Sequence, residues 1–335
     1  MSVDLSTRYL GLELTSPLVA SSCPLTGSVD SLRELEQAGA AAAVLPSLFE
    51  EQIEHEEQQV HELHQHGAES FAESLTYFPD LQNYNTGPEA YIKHVEEAKK
   101  AVSIPIIGSL NGSSKGGWIR YAKMIEEAGA DALELNVYFV PTDAQLDGDA
   151  VERRYVQLVA AVCESVKIPV AVKIGPFFTS LPHFAQRLVK AGAAGLVLFN
   201  RYLEPDIDLE NLEVSPSLLL SSRHEIRLPL RWLAVLRDQV SCSLAATSGF
   251  HMTEDVLKAL LVGADVVMMA TTLLRHGTGT LTTLRNELQS WLEEKEYESV
   301  EQLKGSMSIR NCPDSSALQR SNYMKALVSF TTQLP

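Results

Sequence analysis

The sequence predicts an α/β chain folded as a (β/α)8 TIM barrel, from the joints that recur along it and the apolar runs that follow them. Seven times an amphipathic run ends in a short joint and passes at once into an apolar run, and the joints alternate between two types. One type carries a glycine: Ala38-Gly39-Ala40, Ala128-Gly129-Ala130, Ala191-Gly192-Ala193 and Val262-Gly263-Ala264. The other lies between them: Ser103-Ile104-Pro105, Lys167-Ile168-Pro169 and, more weakly, Val240-Ser241-Cys242. Glycine suits the left-handed residue that ends a helix. The runs that follow read as strands buried on both faces: Ala41–Pro46, Ile106–Leu110, Ala132–Asn136, Val170–Ile174, Gly195–Asn200, Ser243–Thr247 and Val266–Ala270. Pro17–Ser21 opens the set. Parallel neighbours need a crossover helix, so eight strands alternating with helices point to a closed barrel. A doubly wound open sheet is the competing architecture.

In chain order, Met1–Ser16 reads as a short hairpin leading into strand one. Two strand-to-helix connections are long, those after strands two and six. The first, Ser47 to Pro88, holds an acidic, His-rich helix-like piece, Leu48–Gln65, and then Tyr77 to Asn85. The second runs from Arg201 to Pro229 and includes the acidic stretch Glu204–Glu213. Loops of that length in a compact domain tend to be lids or binding loops. Arg231 and Trp232, just after Pro229, read as helix-face packing. The last barrel helix is expected from about Thr278 to Glu296. A breaker follows at Cys312-Pro313-Asp314, then a helix-like piece from Ser315 to Phe330. The expected organisation is one barrel domain over residues 1–310 and a helical extension over 311–335.

The bulk numbers bound the function. The chain has 335 residues, 45% hydrophobic and 21% charged, an ordinary globular composition with room for a large core. A net charge of −16 argues against a nucleic-acid backbone as partner. It leaves a phosphate ligand open, because a few backbone N–H groups suffice locally. Cys23, Cys163, Cys242 and Cys312 form no CxxC pair, so neither a disulfide framework nor a zinc site is expected. The opening residues lack a basic region followed by an apolar stretch, and the longest apolar run, Val266 to Leu274, is far too short to span a bilayer. The expectation is a cytoplasmic protein with no membrane partner.

In such barrels chemistry sits on the loops at the strands' C-terminal ends. Strand one ends in Ala20-Ser21-Ser22, small residues that let a flat ligand approach, or that simply pack tightly. Asn111, Asn136 and Asn200 end strands three, four and six, and Lys173 lies near the end of strand five. Amides both donate and accept, which suits a heterocycle edged with carbonyls and ring nitrogens. A lysine inside an apolar strand is costly unless it meets an anion or a polarised carbonyl. After strands seven and eight come Ser248-Gly249 and Ala270-Thr271, at the recurrent phosphate position of these barrels. Gly249 permits close backbone approach and the hydroxyls add donors; an ordinary turn and N-cap is the plainer alternative. The histidines His55, His61, His64 and His66 have neither HExxH nor finger spacing, and their acidic surroundings fit a solvated helix, so no metal is expected.

Over roughly residues 3–308 this ordered series resembles the dihydroorotate dehydrogenase family of flavin-mononucleotide (FMN) barrels, nearest the soluble class 1 branch. The resemblance rests on Ser16-Pro17-Leu18-Val19-Ala20-Ser21-Ser22, Asn111-Gly112, Glu134-Leu135-Asn136, Val172-Lys173-Ile174-Gly175-Pro176 and Asn200. Ser248-Gly249, Ala270-Thr271 and Tyr297 to Gly305 complete it. It implies FMN held by Ala20, Ser21, Asn111, Asn136, Lys173, Asn200, Ser248, Gly249, Ala270 and Thr271. It also implies a small planar substrate, oxidation of dihydroorotate to orotate in pyrimidine biosynthesis, and a homodimer as the assembly to test.

The departures fall on the substrate side. Where the family's Asn-x-x-Cys (or Ser) supplies the proton-accepting base, Asn136 is followed by Val137-Tyr138-Phe139, which places Phe139 at the base position. Phenylalanine accepts no proton, and a tyrosine, with an ordinary pKa of ~10, is poorly poised as a base at neutral pH. Tyr138 is nonetheless the nearest titratable replacement, with Asp143 on the same loop. The family's strand-two lysine falls at Pro46, and its substrate loop is replaced by Asp80 to Gly87. The expected activity is therefore an FMN-dependent oxidoreductase with Lys173 and Tyr138 as catalytic residues, its substrate and electron acceptor open. A non-redox phosphate-binding barrel, such as an isomerase, a lyase or an inactive relic, is the alternative.

Overall fold

A computed structural model describes residues 3–49, 88–112, 116–202, 204–215, 218–319, 323–324 and 327–328. Eight parallel strands close into a barrel: β1 (Leu18–Ala20), β2 (Ala42–Phe49), β3 (Ile106–Gly112), β4 (Ala132–Val137), β5 (Val170–Ile174), β6 (Gly195–Leu198), β7 (Ser243–Ala246) and β8 (Val266–Met269). Each pairs with its sequence neighbour, and β8 closes on β1 through Val267↔Leu18 and Met269↔Ala20. The strands fall on the expected runs to within a few residues. The open-sheet alternative is excluded, because neither β1 nor β8 is left as an edge.

The two joint types do distinct jobs. Gly39, Gly129, Gly192 and Gly263 have φ of 102°, 93°, 106° and 113°, the left-handed region where a side chain would be strained. After each, the next N–H reaches back five residues: Ala40 to Leu35 O, Ala130 to Ile125 O, Ala193 to Leu188 O and Ala264 to Ala259 O. That is the Schellman closure, which satisfies carbonyls the helix end would orphan. The following N–H then enters the sheet, as when Ala41 donates to Leu18 O and Ala194 to Val170 O. Two of the three glycine-free joints are held from outside. Ser103 and Ile104 donate their N–H groups to Glu36 Oε1 at 2.8 and 3.2 Å, and Lys167 and Ile168 donate theirs to Glu126 Oε1 at 2.6 and 3.0 Å.

Helices α1 (Val29–Ala38), α2 (Pro88–Ala101), α3 (Gly116–Glu127), α4 (Gly148–Ser165), α5 (Leu181–Lys190), α6 (Arg227–Leu236), α7 (Thr253–Val262) and α8 (Thr280–Glu294) surround the strands. A short helix, Thr271–His276, precedes α8. Successive strand residues point alternately in and out. Outward residues such as Leu133, Leu135, Val172 and Leu196 pack against the helices. Inward ones, among them Val19, Val44, Ile107, Ala132, Ala171, Val197 and Met268, fill the barrel. The leading hairpin, Thr7–Tyr9 with Leu12–Leu14, inserts Tyr9 and Leu10 into that interior from the N-terminal end. Ser109, Glu134, Asn136 and Lys173 share the inward parity, higher up the strands.

The β2–β3 ladder shifts register between Val44 and Ser47. Pro46 lies within that shift, and its missing N–H explains why the ladder breaks there. Beyond it Ser47 turns inward, with its Oγ 2.8 Å from Ser109 Oγ.

The loop after β6 holds a hairpin, Asp206–Asp208 with Glu213–Ser215, whose cross-strand partners Ile207 and Val214 are both exposed. Helix α6 starts at Arg227, two residues before the expected loop end, because Pro229 is tolerated in a first turn that needs no donor from it. Trp232 packs partly buried against the core, as expected. Leu48 and Phe49, expected to open the His-rich helix-like piece, instead end β2; the rest of that piece with its four histidines and the Asp80–Gly87 segment lie outside the described residues. Of the expected C-terminal helix, Ser316–Gln319 is described. Among the described residues no helix is long and apolar enough to cross a membrane.

The barrel's N-terminal end is clamped by Asp265. Its carboxylate accepts from Leu244 N–H at 2.7 Å, Arg237 Nη1 at 3.1 Å and Lys304 Nζ at 2.9 Å, with Lys304 itself 3% exposed. Removing one member of such a buried set leaves uncompensated charge, which costs ~3–5 kcal/mol. Asp265→Ala is expected to lower unfolding free energy by about that amount. Urea denaturation followed by circular dichroism checks it, and a loss below about 1 kcal/mol would mean the cluster is peripheral.

Candidate active site

The inward parity carries polar residues to the C-terminal mouth, where a cavity of about 600 Å³ opens. Its floor comes from β4, β5 and β6. Asn136 and Lys173 are direct partners in the β4–β5 ladder. Asn200 is set by its own N–H, which donates to Ile174 O at 2.7 Å, and its side-chain amide donates to Asn136 Oδ1. The floor thus presents a cation beside two coupled amides. Below them Glu134, 1% exposed, stands with Oε1 3.7 Å from Lys173 Nζ.

The opposite wall comes from the loops after β6, β7 and β8. Ser248 and Gly249 are successive left-handed residues, with φ of 74° and 86°. Gly249 N–H donates to Ser221 Oγ at 3.2 Å, and Ser221 in turn donates to Thr271 Oγ1 at 2.9 Å. One buried hydroxyl therefore ties three loops together. A Cβ on Gly249 would stand 2.5 Å from Ser222 O. The glycine thus lets loop six pack against loop seven while remaining part of the cavity lining.

Asp255 secures that packing. It accepts from His251 and Met252 N–H at the start of α7, and takes Arg223 Nε at 2.9 Å and Nη2 at 2.8 Å. Burial alone would raise its pKa, yet the guanidinium and the two N–H groups carry it below the usual carboxylate value.

Of the sequence-derived candidates, Ser21, Asn136, Lys173, Asn200, Ser248, Gly249, Ala270 and Thr271 line this one cavity. Ala20 is fully buried one residue deeper and faces the helices. Asn111 ends β3 between Phe49 and Asn136 in the ladder, outside the cavity lining. Tyr138 also stands outside it, edge-on to Tyr202 with ring centroids 4.7 Å apart. Phe139, which falls at the family's base position, also stands outside the cavity lining. Its ring packs against the outer core beneath the Arg154 guanidinium, 4.7 Å away. The periodicity that aims side chains inward ends with β4.

Sequence reasoning missed Ser221, Arg201 and Cys23. Ser221 had a signal: Ser222 and Glu225 form a capping box at the turn before α6, which marks the spot as ordered rather than free loop. Arg201 follows Asn200 directly and joins the wall while its Nε holds Glu225 at 2.8 Å. Cys23 lines the cavity after β1, and burial pushes its thiol pKa up, which favours the protonated thiol over the thiolate.

A site with a cation and amides on one side and hydroxyls on the other suits a flat heterocycle bearing an anionic tail. The dihydroorotate dehydrogenase family model matches residues 80–292. The chain is 26% identical over 311 residues to the dihydroorotate dehydrogenase B (NAD(+)) catalytic subunit of Thermoplasma volcanium, covering 90% of this chain and 98% of the relative. It is 26% identical over 229 residues to the putative dihydroorotate dehydrogenase A (fumarate) of Aeropyrum pernix, covering 66% and 73%. It is also 22% identical over 325 residues to the chloroplastic dihydropyrimidine dehydrogenase (NADP(+)) of Arabidopsis thaliana, covering 90% and 76%. With most of the barrel inside the family match, and the strand ends that carry the resemblance gathered at one mouth, this chain belongs to the dihydroorotate dehydrogenase family.

Proposed function

We propose that the chain is an FMN-dependent oxidoreductase acting on a carbon–carbon bond of a reduced pyrimidine ring. The observation that carries this is Lys173, 12% exposed, rising beside the Asn136–Asn200 pair into a cavity whose far wall is the Ser221–Thr271 hydroxyl bridge. The donor set fits the group. Ser21 and Ala270 leave room for a flat ring, Lys173 and the amides meet its polar edge, and Ser248, Gly249, Ser221 and Thr271 suit a phosphate. When bound, the flavin supplies the two-electron chemistry. Lys173 then places positive charge where negative charge accumulates, and Asn136 and Asn200 orient ring or substrate edges.

The printed names of the relatives support dihydroorotate or another dihydropyrimidine as substrate, and an external acceptor such as a nicotinamide nucleotide. They also support a separate partner subunit. Proton removal is the weak point. The titratable residues among the described cavity lining are Cys23, Lys173 and Arg201, with no carboxylate, imidazole or phenol. Among the described residues this reading takes Tyr138, just outside the wall and beside Tyr202, as the base.

Purified protein is expected to show flavin absorption bands; a colourless protein that takes up no added FMN returns the reading to a non-redox barrel. Ser221→Ala is expected to weaken FMN about tenfold or more, since hydrogen bonds to charged groups are worth ~1.5–3 kcal/mol. Riboflavin, which lacks the phosphate, should bind the variant as it binds the parent. Equal losses for both ligands in fluorescence titrations would remove Ser221 from the phosphate wall.

Lys173→Ala is expected to make bound flavin harder to reduce. Opposite charges at contact distance interact by on the order of a few kcal/mol. Redox titration against a reference dye reads the shift to more negative potential, and an unmoved midpoint would place Lys173 away from the ring.

Dihydroorotate should bleach the flavin slowly under anaerobic conditions, because a missing general base costs ~10²–10⁴-fold. Tyr138→Phe should abolish the residual rate. Phe139→Cys should not raise it, since that side chain points under Arg154. Rapid bleaching that survives Tyr138→Phe would require another base, and dihydrouracil run in parallel tests whether the substrate carboxylate matters.

A further inference from the structure

The interior of the barrel holds a charged group that neither the fold nor the proposed chemistry has yet used. Glu134 lies on β4 one inward position below Asn136, and its side chain is 1% exposed. Its ladder partners, Ser109 and Ala171, are uncharged, and the barrel interior is otherwise packed with apolar residues such as Val44, Ile107, Val197 and Met268. Neither carboxylate oxygen has a hydrogen-bond partner among the described residues. The nearest cation is Lys173 Nζ, at 3.7 Å an ion pair too long to be a hydrogen bond. A buried carboxylate normally recovers its lost hydration through several donors, and this one has none.

Its charge is felt across the barrel. Tyr9, fully buried at the N-terminal end with its own hydroxyl unpartnered, has its pKa pushed well above the usual value, first by burial and then by Glu134. Tyr91, whose hydroxyl bonds the β3 backbone at Ser109, is raised by the same two causes. Both phenols stay neutral, so Lys173 is the group left to balance Glu134 from the cavity side. The other cation in the cavity wall, Arg201, is occupied by Glu225.

We propose that Glu134 is a positioning residue: from beneath the cavity floor it holds Lys173 Nζ back and cancels part of the positive charge that Lys173 presents to the bound ring, and so sets the flavin's reduction potential. The inference rests on the flavin reading above. Its sign follows from charge alone. Without the carboxylate, Lys173 stands freer and more positive toward the ring, which favours the reduced, more negative flavin. Glu134 therefore acts against Lys173, and the two removals move the potential in opposite directions.

The experiment is redox titration of flavin-loaded wild type, Glu134→Gln, Glu134→Asp, Lys173→Ala and the Glu134→Gln/Lys173→Ala double variant, with thermal melts as folding controls. Glu134→Gln, nearly isosteric, is expected to shift the midpoint to more positive values, and Glu134→Asp, whose carboxylate is withdrawn by one methylene, to shift it the same way by less. Because Glu134 acts through the lysine, its effect should shrink in the Lys173→Ala background. A shift in Lys173→Ala with none in Glu134→Gln overturns the inference and leaves the flavin reading standing. Equal Glu134→Gln shifts with and without Lys173 overturn the positioning role. No shift in either single variant overturns the inference and places Lys173 away from the ring. Should Glu134→Gln not accumulate as folded protein, Glu134→Asp decides alone: a positive shift supports the inference and an unchanged midpoint overturns it.

Discussion

In a closed parallel barrel every second residue of each strand points at the axis, and ladder register fixes which residues share a level. The site depends on that constraint. Ser109 is level with Glu134, and Asn136 with Lys173, because those pairs are ladder partners. Side chains nearly forty residues apart meet without any loop having to bring them together. The interior is apolar near the hairpin plug of Tyr9 and Leu10 and polar near the mouth, so one strand set serves as core at one end and as binding floor at the other.

Register has to be held for this to work, since a slip of one residue would turn Lys173 out among the helices. The joints hold it. Each glycine closure ends with an N–H entering the sheet at a fixed residue, and the joints Ser103-Ile104-Pro105 and Lys167-Ile168-Pro169 are each gripped by a glutamate of the preceding helix layer. The one place where register does shift, at Pro46, brings Ser47 into the interior beside Ser109.

The same constraint explains what was legible in the sequence. Lys173, Asn136 and Asn200 could be placed because each sits at or just past the end of a strand whose apolar run announces its phase. Tyr138 and Phe139 could not, because one and two residues past β4 no period governs direction, and aromatic packing on Tyr202 and Arg154 decides instead. Ser221 was out of reach for a different reason. It bonds Gly249 and Thr271 across 28 and 50 residues, through a loop whose path no local pattern states. Gly249 was singled out correctly as a special backbone position, but its neighbour is Ser222 O, which only the folded loop reveals.

Two buried carboxylates in this barrel show how the same group can serve opposite ends. Asp265 at the N-terminal end has a backbone N–H and two cations within hydrogen-bonding distance, so its desolvation is compensated on folding and the cluster acts as a clamp. Glu134, nearer the mouth, is more completely buried yet has, among the described residues, no hydrogen bond and a single cation at 3.7 Å. If stability alone set these residues, Glu134 would be the one replaced by an uncharged side chain, since its ladder partners are Ser109 and Ala171. Uncompensated burial of a charge is a cost to the fold, and such costs concentrate where a site uses the field they create. The field of Glu134 points at Lys173, and Lys173 lines the cavity.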